Sequence, residues 1–171
     1  LTTDLPDGVT LGQWIGQHRA DRRWAPLKTV RDMLLAVCRG VGPAHRMQVP
    51  GPLVHGHLTP ESVVVDTSVK GSSPVSLQDF ALARLPGAVR GLGEQEAWLD
   101  PRSPELCDDP RAFGVGADVF ALGVLAVQVL VPNAVEQVRR PFGELREAEL
   151  RGRLRSLRGD VDATVWDAIE Q

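Results

Sequence analysis

Two histidines stand one residue apart at His55 and His57, and the polar residues nearest to them downstream are Thr59, Glu61, Ser62 and Asp66. Imidazoles at that spacing have the geometry of a paired metal ligand. The other two histidines, His18 and His45, fall on different expected elements, which argues against a closed metal set. An imidazole titrates near a pKa of about 6.5, so His57 also has the chemistry of a proton acceptor at neutral pH. Ser62 is a neutral and poor ligand for a hard cation, whereas the carboxylate of Asp79 is a good one. Asp79 reads equally as a cation ligand and as a structural acceptor.

The elements that must position these groups can be read from periodicity. Val9 to Ile15 follows a Pro/Asp/Gly turn and predicts the start of a short helix. A longer helix is predicted from about Leu27 to Met47, with Val30, Met33, Leu34, Val37, Val41 and Ala44 on one apolar stripe. Pro50-Gly51-Pro52 breaks the chain just before His55. Val63-Val64-Val65 and Pro74-Val75-Ser76-Leu77 predict two short strands, joined by a Ser- and Gly-rich link as a hairpin. Ala117 to Val131 is apolar nearly all round and predicts a helix buried on every side. Two amphipathic helices are expected after it, one marked by Leu150, Leu154 and Leu157, the other by Val161, Val165 and Ile169.

Composition narrows the class. The 171 residues suffice for one domain with a core, and 43% apolar, 24% charged and a net charge of -3 describe an ordinary globular chain. That balance exerts no pull toward nucleic acid. Cys38 falls in an expected helix and Cys107 in a loop-like stretch, without metal-type spacing. The longest apolar run, Val119 to Val131, is shorter than the roughly 20 residues that span a bilayer. These features alone support only a mostly helical domain.

Short motifs take the reading further. His55-Gly56-His57-Leu58-Thr59-Pro60-Glu61-Ser62 resembles the His-Arg-Asp-Leu-Lys-Pro-Glu-Asn catalytic loop of the protein kinases. In order after it, Asp79-Phe80-Ala81-Leu82-Ala83-Arg84 is similar to the Asp-Phe-Gly magnesium segment. Ser103-Pro104-Glu105 is similar to the Ala-Pro-Glu motif, and Asp118-Val119-Phe120-Ala121-Leu122-Gly123 to the opening of the central helix. Gly8 to Ile15 looks like the helix just past the hinge. Each motif is weak alone, but their common order is specific.

The resemblance implies a mainly α fold (α+β): a protein kinase-like large lobe, helical with a small β-hairpin. It implies that residues 1–171 are a partial domain, from just after the hinge to about the eighth helix, with the small lobe absent from this chain. By the same resemblance, His57 replaces the catalytic aspartate, Thr59 the lysine and Ser62 the magnesium-holding asparagine, while Asp79 remains as metal ligand. Val64 and Ser62 would face bound nucleotide. His55, Phe80, Glu105 and Asp118 would be structural, with Asp118 capping the central helix and accepting backbone N–H bonds. The loop arginine that binds activation-loop phosphate is Gly56 here, and no Ser, Thr or Tyr lies between Asp79 and Pro101.

Phosphoryl transfer rests on positioning and charge neutralisation, and three of the polar groups that supply them are replaced. The resemblance therefore implies a pseudokinase, acting as a scaffold or allosteric module on protein partners; the alternative is a divergent Ser/Thr kinase with His57 as base. No cofactor is required, and ATP with magnesium would bind only weakly and only with the small lobe present. No nucleic acid and no membrane span are expected. Within the superfamily, Leu53 to Glu61 most resembles the rhoptry kinases and pseudokinases of apicomplexan parasites, which would imply secretion to a host cell; otherwise the protein would be cytoplasmic. Arg151, Arg155 and Arg158, at helical spacing, are expected to point outward as a docking face for an acidic partner, although a merely solvated face fits them as well.

Overall fold

The computed structural model describes residues 7–21, 23–48, 51–68, 74–80, 103–109, 114–132, 152, 156 and 158–169. In chain order they form β1 (Val9–Thr10), α1 (Leu11–Ala20), α2 (Leu27–His45), a 3-10 turn (Pro60–Ser62), β2 (Val63–Val65) and β3 (Val75–Leu77). The helices α3 (Pro104–Asp108), α4 (Val115–Leu130) and α5 (Ala163–Ile169) follow. The described residues are thus mostly helical with one small antiparallel sheet, which is compatible with a kinase-like large lobe but not specific to it. No helix of the described residues is long and apolar enough to cross a membrane.

Local sequence accounts for the helix starts. Thr10 Oγ1 accepts the Gln13 N–H at 3.1 Å and Gln13 Oε1 accepts the Thr10 N–H at 3.0 Å. This reciprocal box satisfies two donors that helix geometry leaves open. It also explains why α1 starts at Leu11 rather than at Val9, which pairs into a strand instead. α2 buries Val30, Met33, Val37 and Val41 along one stripe, and Leu35 on the opposite side stays exposed.

The sheet has the order β1-β2-β3, so β2 is central and all three of its valines are buried. Val64 sits opposite Thr10 on one side and Ser76 on the other. The expected hairpin is present as β2 and β3, and β1 adds a third strand. A two-residue strand has no periodicity of its own to announce it. β3 lies against α2 at Gly40, where a Cβ would fall 2.7 Å from Leu77 Cδ1. A Cβ at that position would require the tip of the Leu77 side chain to shift.

α4 runs through the core, and Leu125 and Val129 are fully buried. It is not covered on every side, because Val119 is 58% exposed. Its N-cap is Gly114, without a side-chain cap bond, so Asp118 does not cap this helix as expected. Cys107, expected in a loop, lies within α3. Val161 is buried ahead of α5 while Val165 is 43% exposed, so these two do not share one apolar face. The helix expected at Leu150, Leu154 and Leu157 falls on residues outside the described ones.

Candidate functional site

The His55–Ser62 segment sits between the end of α2 and the start of β2, packed over the first turn of α4. Asp118 organises it from below. Its carboxylate is 1% exposed and accepts the His55 N–H (2.8 Å), the Gly56 N–H (2.8 Å) and the His45 Nε2–H (2.7 Å). A buried carboxylate is tolerable only when its lone pairs are filled in this way. The role expected of Asp118 as an acceptor of backbone N–H bonds is therefore met, but by the loop's amides rather than the helix's own. His45 had no expected role. The missing signal was tertiary, since nothing local marks the last turn of α2 as the donor to a carboxylate 73 residues away.

His55 is fully buried above Asp118. Its Nε2 lies 2.8 Å from the Gln78 carbonyl and its Nδ1 3.3 Å from the His57 N–H. A carbonyl only accepts, so Nε2 carries the proton and Nδ1 is left bare to accept. Both bonds exist together only for the neutral ring. The ring also stacks at a tilt on Phe80, with centroids 4.6 Å apart. His55, Phe80 and Asp118 therefore come together, whereas Glu105 does not join them.

Burial pushes the His55 pKa below that of an ordinary imidazole, while the Gln78 carbonyl and the charges of Asp118 and Asp79 pull the other way. Because the unfolded chain takes up this proton near pH 6.5 and the folded chain only below it, stability falls as the pH drops through that window. Urea unfolding should give a lower midpoint at pH 5.5 than at 7.5, and a smaller drop for His55→Gln. An equal drop in the variant would assign the effect to other groups.

The polar positions of the loop behave differently from one another. Ser62 is 2% exposed, and its Oγ accepts the Thr59 N–H at 3.0 Å while donating to the Thr59 carbonyl at 2.9 Å. The hydroxyl closes the 3-10 turn, and among the described residues no bond outside the turn is present. Thr59 is half-buried as the residue that opens the turn. His57 is half-buried and, with Gly56, Leu58, Leu106, Ala117, Asp118 and Ala121, lines a small hollow between the loop, α3 and α4.

Asp79 is exposed and has φ 65°, the left-handed region in which Asp is among the few side-chain-bearing residues tolerated. Its neighbours fix it: the Gln78 carbonyl is held by His55, and Phe80 by the ring contact. Gly56 also has positive φ, 75°, with its N–H on Asp118. Among the described residues no three His, Cys, Asp or Glu side chains group as metal ligands. Val64 is 7% exposed in the central strand, and Glu105 is exposed on α3.

The expected docking face is corrected at one position. Arg158 is 3% exposed, because its guanidinium donates to the Leu130 and Ala25 carbonyls, each at 2.9 Å, and to the Asp160 carboxylate at 2.8 and 3.2 Å. Arg151 and Arg155 lie outside the described residues.

No family model matches the chain. Over 135 residues it is 29% identical to the serine/threonine-protein kinase Pkn1 of Myxococcus xanthus, a match that covers 76% of this chain and 18% of that protein. Over 84 residues it is 30% identical to cyclin-dependent kinase 7 of Caenorhabditis elegans, covering 48% of this chain and 24% of that protein. The matched region is thus less than a quarter of the length of either relative. Neither likeness lends support to the apicomplexan rhoptry family. Together with the motif order, they support membership of a protein kinase-like superfamily.

Proposed function

We propose that this chain is the large lobe of a catalytically impaired kinase-like protein, one that works by binding protein partners or modulating a true kinase. The Ser62 hydroxyl carries this reading. At the position that resembles the magnesium-holding asparagine, it is buried, and its two bonds among the described residues lie inside its own turn. A neutral hydroxyl that already donates and accepts within its turn is a poorer ligand for a hard cation than an asparagine carbonyl. His57 in place of an aspartate and Thr59 in place of a lysine remove two more of the charges that phosphoryl transfer uses. The bonds that shape the loop are meanwhile kept. Shape without charge suits a binding surface better than an active site. ATP with magnesium is no requirement of such a module.

A second reading is a divergent Ser/Thr kinase in which His57 takes the hydroxyl proton and Asp79 holds magnesium. The observation that favours it is Asp79, whose carboxylate is exposed on a left-handed backbone pinned by its neighbours; such geometry concentrates at functional sites. The test is γ-phosphate transfer to protein by the intact protein, with magnesium or manganese. No transfer is expected, and none should return with His57→Asp alone. Transfer that Asp79→Ala abolishes would establish the second reading.

A further inference from the structure

α2 and α4, with 19 and 16 residues, are tied to each other at both ends. At one end His45, in the last turn of α2, bonds to Asp118, in the first turn of α4. At the other end Arg158 donates from Nη2 to the Ala25 carbonyl, just ahead of α2, and from Nη1 to the Leu130 carbonyl, the last residue of α4. The two ties require the helices to run antiparallel. They also stand about 28 Å apart, the length of α2 at 1.5 Å per residue.

The Arg158 end is built with care. Its guanidinium is oriented by Asp160 and lies over the Trp24 ring, 5.1 Å from the ring centroid. It fills the Leu130 carbonyl, which the C-terminus of α4 leaves without an intrahelical partner, and places positive charge there, where the helix dipole favours it. Arg19 of α1 donates from Nε to the Pro132 carbonyl at 3.0 Å, just past the end of α4. A side chain this polar is rarely buried to this degree unless fully paired.

We propose that Arg158 is a positioning residue for the His55–His57 loop, acting through α2 and α4. Fixing the far ends of the two helices fixes their register, and the register sets where His45 meets Asp118. Asp118 in turn holds the His55 and Gly56 amides. The coupling runs through two rigid elements packed on each other, the kind of structure able to carry it. It holds whether the loop catalyses a reaction or only presents a surface.

Hydrogen exchange on the intact protein tests this. In Arg158→Met the His55 and Gly56 amides should exchange about tenfold faster, a plausible size for a long-range coupling, with Arg158→Lys intermediate. Amides of β2 should change less than about twofold, since no link of this chain of contacts passes through the sheet. The coupling must also be reciprocal, so His45→Gln should speed exchange of the Arg158 Nε proton by a similar factor. If Arg158→Met does not fold, Asp160→Asn keeps both carbonyl bonds, loosens only the guanidinium, and should show the same contrast at about threefold. Equal acceleration of loop and strand amides would mean that Arg158 contributes stability alone. An unchanged Arg158 Nε proton in His45→Gln would equally overturn the proposal.

Discussion

Asp118→Ala should lower the stability of this domain by about 3–5 kcal/mol, the range for leaving several buried polar groups unpaired at once. Three donors lose their acceptor together: the His55 and Gly56 amides and the His45 ring. Two of them are backbone groups that cannot turn away. Asp118→Asn isolates the role of charge and geometry. Its amide nitrogen must face at least one of the three donors, and His45 alone could adapt by exchanging tautomers. A smaller loss of about 1–3 kcal/mol follows for Asn. Urea denaturation of the three proteins measures both. A loss below about 1 kcal/mol in the alanine variant would show that water reaches these amides and replaces the carboxylate.

Leu125→Ala should cost about 2–5 kcal/mol, as expected for a fully enclosed leucine whose removal leaves a cavity. Leu125 has no exposed surface and lies on α4, within the same cluster as Val30, Met33, Leu58 and Val63. The same helix supplies its own control. Val119 is 58% exposed, so Val119→Ala should stay within about 0.5 kcal/mol of the parent. Comparable losses at both positions would mean that Val119 is covered in solution by something that contacts this face.

How much of this was legible in the sequence depends on how local each determinant is. α2 and α4 are long enough for their apolar residues to set a period, and both were found to within two residues of their observed ends. The β2–β3 pair was marked by β-branched residues and the turn-forming link between them. β1 was missed because two residues set no period. The grouping of His55, Phe80 and Asp118 came from motif resemblance, and the bonds among them then follow from the geometry. Helical projection places Arg158 outward, whereas the structure buries it. It lies outside any helix, just before the Gly159–Asp160 turn, and its partners Ala25 and Leu130 are distant in sequence. His45 was overlooked for the same reason. Long-range acceptors leave no local trace.

Gly56 carries a consequence for the history of this loop. Its φ of 75° suits glycine, and most β-carbon-bearing residues arriving there, Asn and Asp least, would meet roughly 1 kcal/mol or more of backbone strain. Domains of this kind hold only about 5–15 kcal/mol in total. Departure from glycine is therefore filtered by folding before any function is consulted, whereas arrival at glycine meets no such filter. Lineages carrying this loop should enter the glycine state more easily than they leave it, and a side chain regained at position 56 should come with compensating stabilisation elsewhere in the domain.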